Sequence, residues 1–263
     1  MTPINEKPIS IDITGDYLVQ KHRLLLQADM SVLTLNSLKL LDYYLSKINS
    51  HEPTRIQVTL EKGELERFLG IKRVRKETMD RITDDLLRHV IVIQDLNKVN
   101  YRKKISLFSV AEYDQDESGN WTLTLKCTPD AKPYVFDLET IGYVKYRRKL
   151  VENIRGMYEY ALFSYILANK FRREWTVSIE ELRKHFWIEK DYLQEFKRFN
   201  QNVLAPSVNA LKEHGIIDVQ YEPIRSWKTV TGVKFKVITT DRELNAKIPE
   251  DIIIEADAWG VDT

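Results

Sequence analysis

Cysteine occurs once in the 263 residues, at Cys127, which excludes a disulfide framework and a thiolate zinc site. Its alternation with Trp121, Leu123 and Leu125 predicts a buried strand position. No apolar run approaches bilayer-spanning length, and the opening Met1–Pro8 lacks the basic-then-apolar layout of a secretion signal. A protein of the reducing cytoplasm, with no membrane partner, is expected. There is no Gly-x-x-x-x-Gly-Lys-Ser/Thr stretch, so no nucleotide loop is expected; Gly63 and Gly70 merely flank a short helix. The histidines at 22, 51, 89, 185 and 214 are scattered, with no His-x-His or His-Glu-x-x-His spacing, and no metal site is expected. Asp84 and Asp85 are adjacent, but neighbours at i and i+1 point from different helix faces. Tyr43, Tyr158, Tyr160 and Tyr165 sit on apolar helix faces, where packing explains them better than a nicking nucleophile. Nothing assembles an acid, a base and a nucleophile, so the chain reads as a non-enzyme without a cofactor.

What is present suits two domains of ordinary size: 43% apolar residues for the cores and 30% charged residues for the surface. The net charge of +1 is unevenly spread. The segment after Thr240 carries seven acids against Arg242 and Lys247, leaving the first 240 residues at +6. Tyr143 to Arg173 alone holds eight cations and two acids. Such asymmetry is the electrostatic footprint of a nucleic-acid binder, although a solvated helix face accounts for part of it.

The chain repeats itself. Val58-Thr-Leu-Glu-Lys-Gly-Glu-Leu-Glu-Arg-Phe-Leu-Gly-Ile71 parallels Val177-Ser-Ile-Glu-Glu-Leu-Arg-Lys-His-Phe-Trp-Ile188: a short strand, a Thr or Ser cap, an acidic first turn and a Leu/Phe face. A Tyr/Leu-rich helix precedes each copy, the first opening at Thr34 with Leu38, Leu41, Leu45 and Ile48 inward. A basic helix and two strands are read after each. In the first copy the helix Arg73–Arg88 turns Val74, Met79, Ile82 and Leu86 inward, and strands 90–93 and 104–110 flank a basic tip at 95–103. The hairpin turn at 116–120 and the strand from Trp121 read as additional material. Five elements matching in order predict an α+β protein of two tandem winged-helix domains related by internal duplication. The expected limits are 1–16 as a flexible N-terminus, 17–145 and 146–240 as the two domains, and 241–263 as an acidic tail. Tyr17–Gln27 is expected to pair as a strand. The cation-rich junction at 143–149 is expected to be open to proteases.

In the second copy the helix is predicted over Asp191–Gly215, with Asp191 as its cap and Gly215 as a left-handed stop. Tyr192, Phe196, Phe199, Val203, Leu204, Val208 and Leu211 form its apolar stripe. Lys197, Arg198, Gln201, Asn202, Ala205 and Asn209 fall on the opposite sector. Pro206 lacks an N–H and should bend the helix near Asn202. Amides pair with adenine edges, cations hold guanine or phosphate, and a small residue permits close approach. An amphipathic surface helix would give the same pattern, but two β-prone runs follow, 216–221 and 234–239, with a basic tip between them. Helix then basic hairpin is the layout for reading a groove and clamping the backbone beside it. The candidate DNA contacts are Lys197, Arg198, Gln201, Asn202, Arg225 and Lys228 in the second module. In the first they are Arg73, Arg75, Lys76, Lys98 and Arg102, and at the junction Arg147, Arg148 and Lys149, the last group toward phosphate.

Four stretches resemble the plasmid replication initiators that bind iterons, the direct repeats of a replication origin. Leu33–Asp42 is similar to the family's first helix, and Ile154–Leu167, with Tyr160-Ala161 and Tyr165, to the helix opening its second winged helix. Val177–Leu182 is similar to the next element, and Tyr192-x-x-x-Phe196-x-x-Phe199-x-x-x-Val203-Leu204-x-Pro206 to the second recognition helix. Three positions depart from the pattern. Asn200-Gln201-Asn202 replaces a basic run, Phe163 a basic residue, and Lys21-His22 a Ser-Asn pair. The resemblance implies binding of double-stranded origin repeats, dimers that give way to DNA-bound monomers, recruitment of a host initiator and helicase, and self-repression. A tandem winged-helix transcriptional regulator is the alternative, and would bind an inverted operator. A nicking endonuclease is disfavoured for want of a metal cluster or reactive tyrosine.

Overall fold

The computed structural model describes residues 17–49, 52–61, 63–94, 101–138, 142–188, 193 and 195–239. The N-terminal 16 residues, the Asp191 cap, Tyr192, Lys98 and the acidic tail lie outside them.

The first module starts with β1 (Leu18–His22), α1 (Arg23–Gln27) and α2 (Leu35–Lys47). The predicted strand over 17–27 therefore stops at His22, whose Nδ1 accepts the Leu24 N–H and starts a helical turn. Thr34 caps α2 by accepting the Ser37 N–H. Leu38, Leu41 and Leu45 are buried as their spacing predicts, but so are Leu40, Tyr43 and Tyr44, because α2 lies in the middle of the molecule. Then come β2 (Gln57–Leu60), α3 (Glu64–Leu69) and α4 (Lys76–Arg88). Gly63, in the left-handed region at φ 74°, stands at the start of α3 instead of the expected Thr cap. All four inward residues proposed for the α4 segment are buried.

Two hairpins follow α4: β3 (Val90–Gln94) with β4 (Arg102–Ser106), and β5 (Phe108–Gln115) with β6 (Trp121–Cys127). Sheet order corrects the sequence reading here. β2 pairs with β6 and β6 with β5, giving β2-β6-β5, whereas β3 and β4 form a separate two-stranded ribbon. The wing of the first module is thus β5–β6. Its tip at 116–120 carries Asp116 and Glu117; β3 and β4, which flank the expected basic tip, form an inserted ribbon, and residues 95–100 of that tip lie outside the described residues. The physical reason is burial. Trp121, Leu123, Leu125 and Cys127 alternate inward on β6, which makes it the central strand. The wing also grips α4 and the segment before it: Trp121 Nε1 donates to the Val74 carbonyl at 2.8 Å, and the Tyr113 hydroxyl donates to Asp80 on α4.

A short helix α5 (Lys132–Val135), β7 (Tyr143–Arg147) and α6 (Arg148–Glu152) lead to the second module. This contains α7 (Met157–Asn169), β8 (Glu174–Ser178), α8 (Ile179–His185), α9 (Phe196–Phe199), α10 (Ala205–Glu213), β9 (Val219–Ser226) and β10 (Thr229–Val237). Its sheet order is β8-β10-β9. The strand before the middle helix pairs with the last wing strand in both modules, so the duplication extends to strand pairing.

The proposed boundary near residue 145 falls inside β7, which pairs antiparallel with β1 from Leu18↔Arg147 to His22↔Tyr143. Beneath that ribbon lies a buried polar cluster joining β1, α2, β7 and α7. Asp42 Oδ1 accepts Lys21 Nζ at 2.9 Å and the Tyr146 hydroxyl at 2.9 Å, while Oδ2 accepts the Tyr160 hydroxyl at 2.8 Å. Lys21 also donates to the Tyr160 oxygen at 2.8 Å, and all four residues are at most 2% exposed. Burial, then the Asp42 charge, raises both tyrosine pKa values well above the ordinary, so both hydroxyls stay donors. Phe163 packs edge-on against Tyr146 with ring centroids 5.3 Å apart. Two departures from the family pattern, Lys21 and Phe163, therefore meet in this junction. Nearby, Lys39 Nζ donates to the Glu152 carbonyl at 3.0 Å; burial and then Arg155 push its pKa down to about 8.

Arg148 was expected to face phosphate and instead is buried. Its guanidinium lies 4.8, 4.6 and 5.7 Å from the ring centroids of Tyr17, Tyr43 and Phe68, and Nε pairs with Glu152 Oε1 at 3.2 Å. A planar, weakly hydrated guanidinium stacks well on such rings, and the Lys47 ammonium sits over two of the same ones, 4.4 Å from the Tyr17 centroid and 5.6 Å from that of Tyr43. Because β7 is paired and its Tyr146 is buried, trypsin is expected to spare Lys145 to Lys149 under native conditions. Mass spectrometry of a limited digest checks this, and two fragments parted at 143–149 would contradict it.

Candidate DNA interface

The recognition element of the second module is one helix built in three parts. The α-helical turn α9 passes into a π-helical segment, Asn200–Leu204, and then into α10. The cause of the break is chemical. Pro206 has no N–H to offer the Asn202 carbonyl, and the Ala205 N–H reaches back to the Asn200 carbonyl. Side chains tie the wide turn: Asn202 Nδ2 donates to the Arg198 carbonyl at 2.9 Å, and Ser207 Oγ to the Val203 carbonyl at 2.7 Å. The irregularity expected near Asn202 is thus a π segment. Gly215, at φ 65°, follows the helix end as predicted.

Phe199, Val203, Leu204, Val208 and Leu211 are buried, and Phe199 meets Phe186 at 5.7 Å between centroids. Lys197, Arg198, Gln201, Asn202, Pro206 and Asn209 are exposed. Arg198 Nε makes a loose surface contact of 3.4 Å with Glu195. At the far end His214 Nδ1 lies 2.9 Å from Glu159 Oε1, while Glu159 Oε2 accepts the Arg155 and Gly156 N–H groups at the start of α7. The helix is therefore clamped at its C-terminal end and presents its N-terminal half outward.

The wing is longer and its loop shorter than the sequence indicates. Ser226 pairs with Thr229, so only Trp227 and Lys228 form the tip, and Arg225 lies within β9. Phe235 stacks on Trp175 at 5.5 Å and fixes the sheet on α7 through Tyr165. Gly232 follows a bulge in β10; a Cβ there would lie 2.8 Å from the Val177 carbonyl oxygen, so β8 approaches too closely for any side chain. The Tyr221 hydroxyl, its pKa raised by burial, donates to Asn200 Oδ1 at 2.7 Å and joins wing to helix. Tyr113–Asp80 is the corresponding tie in the first module.

Between helix and wing runs an open cleft of about 1040 Å³. Lys197, Gln201, Arg225 and Lys228, four of the six residues expected in this module, line it together. Arg198 and Asn202 are exposed on the same helix outside that lining. Sequence reasoning missed Arg183 of α8, which also lines the cleft, with its guanidinium 5.8 Å from the Phe199 ring centroid. Burial lowers its pKa. Its place in the acidic-start helix of the repeat was the available signal. Glu180 and Glu195 are the acids on the cleft wall.

In the first module Arg73, Arg75 and Lys76 are exposed at the start of α4, and Arg102 is exposed on the inserted ribbon. Arg73 reaches the wing tip, its Nη2 3.4 Å from where a Cβ on Gly119 would stand. At the junction Lys149 is exposed and Arg147 half-buried. Among the described residues no group of three metal-ligating side chains converges, and no helix is long and apolar enough to cross a membrane.

A helix laid beside a two-stranded wing, twice over, with the second wing basic, defines a tandem winged-helix DNA-binding protein. Residues 18–167 match the family described as Initiator Replication protein, WH1, and residues 178–237 match Initiator Rep protein, WH2. The chain belongs to this family of replication initiators. Its fold is similar to that of the Pi initiator protein, solved in complex with iteron DNA: TM-score 0.70 at 16% identity, covering 87% of this chain and 100% of that one. The crystal structure of RctB domains 2–3 is more distant, with TM-score 0.44 and 13% identity over 82% of this chain and 83% of that one. No curated protein matches the chain in sequence.

Proposed function

We propose that this initiator binds directly repeated sites in double-stranded origin DNA, with the helix 196–213 in the major groove and the β9–β10 wing over the adjoining backbone. The observation that carries the reading is the cleft between them, where Arg183, Lys197, Arg225 and Lys228 supply cations and Gln201 an amide from a rigid helix. A duplex major groove admits one helix, and cations on either side of it neutralise phosphates. The first module adds Arg73, Arg75 and Lys76 from the start of α4, which suits phosphate positioning more than base readout. Binding of several copies would strain an adjacent A·T-rich segment toward opening. In this reading the chain does no covalent chemistry itself, exchanges between dimers and DNA-bound monomers, and hands the opened DNA to a host initiator and helicase.

The test uses a supercoiled plasmid carrying the DNA beside the gene. Added protein, with host initiator present, is expected to make thymines of an A·T-rich stretch reactive to permanganate, leaving the plasmid supercoiled. Magnesium-dependent nicking would instead mark an endonuclease, and a lack of any opening on bound DNA would favour a regulator.

A further inference from the structure

We propose that Trp227 is a wedge that enters the minor groove beside the helix and inserts its indole into one base step. The proposal rests on the DNA-binding reading above and adds a residue to it. Trp227 is 91% exposed, the most exposed large apolar side chain among the described residues. It is also strained. At φ 56° it occupies the first position of the two-residue turn between Ser226 and Thr229, a place that tight hairpins usually give to glycine. A tryptophan there costs conformational free energy and leaves its indole in water, two penalties without return in the free chain. Burial against a base offsets both.

The surroundings select DNA as the occupant. Lys228 Nζ lies 5.6 Å from the indole centroid, and Arg225, Lys228 and Lys197 line the cleft that the tip closes. Cations around an exposed ring fit a phosphate-flanked groove. With the helix in the major groove, the hairpin crosses the backbone toward the neighbouring minor groove, where apolar side chains unstack steps and kink the duplex. The other aromatic residues of β9 and β10, Tyr221 and Phe235, pack inward against each other. One outward ring suits insertion at one step, not a row of stacked bases along a single strand. Pyrimidine–purine steps unstack most readily and are the expected target.

The experiment uses the full chain and a repeat-bearing duplex with 2-aminopurine placed at successive steps, a base that brightens when unstacked. One step is expected to brighten on binding. Trp227→Ala should abolish that signal and weaken binding about tenfold, while Trp227→Phe keeps the signal. Trp227→Gly should match Trp227→Ala on DNA yet unfold no more easily than the parent, since glycine relieves the backbone. Lys228→Ala should weaken binding and keep the brightening. The wedge is overturned if Trp227→Ala changes neither signal nor affinity, or if the parent binds with every step dark. Failure of the parent protein to bind duplex at all would remove the DNA reading instead.

Discussion

Asp42→Ala is expected to lower the unfolding free energy by about 3–5 kcal/mol, the largest effect of any polar substitution in the molecule. Asp42 is fully buried and accepts three hydrogen bonds, from Lys21, Tyr146 and Tyr160. Removing it strands an ammonium at 1% exposure with one neutral oxygen for company. Replacing both charges behaves differently. Lys21→Met with Asp42→Leu is expected to cost far less than Asp42→Ala alone, because a buried ion pair contributes little beyond its apolar equivalent. Denaturant titration of Lys21→Met, Asp42→Leu and the double measures the coupling. Additive losses would mean that the four groups do not act as a unit. Because Lys21 lies on β1, Asp42 on α2, Tyr146 on β7 and Tyr160 on α7, the same variants report how firmly these four elements are joined.

Arg198→Ala, Gln201→Ala and Asn202→Ala are each expected to cost on the order of 1–3 kcal/mol at one base position and to relax the preference there. Lys228→Ala should weaken all sequences alike and lower the salt slope by about 1. The distinction follows from placement. Gln201 lies on the outward turn of the π segment, whereas Lys228 rides a two-residue tip beside the groove. Asn202 already gives one amide hydrogen to the Arg198 carbonyl, so its smaller free valence predicts the smallest of the three effects. Binding to singly substituted repeats at fixed salt separates the two behaviours. Equal losses on every sequence for Gln201→Ala and Asn202→Ala would make those amides positioning groups.

The fold was legible where periodicity and local chemistry agree. The inward spacing of Val74, Met79, Ile82 and Leu86, the Thr34 cap and the Gly215 stop are all local signals, and the structure has each of them. The wing of the first module was not legible from its order in the chain. Two hairpins follow α4, and β6 becomes the neighbour of β2 only through a pairing some 65 residues apart, as in Thr59↔Thr124. The alternation ending at Cys127 marked β6 as buried, and that was the better guide. Charge misled in a similar way. Arg148 reads as a surface cation in a basic context, but it is buried on the rings of Tyr17, Tyr43 and Phe68. In the candidate site, Lys197, Gln201, Arg225 and Lys228 come together because helix and wing share one sheet-backed core. Arg183 needed the fold to be seen, since α8 carries its cation at the back of the same cleft.

Footprinting on the DNA that flanks the gene tests the central claim most directly. The account predicts several protected sites in the same orientation, repeating at about 20 bp or near two helical turns, beside an A·T-rich stretch. Protection of one inverted repeat, with no directly repeated sites, would contradict it.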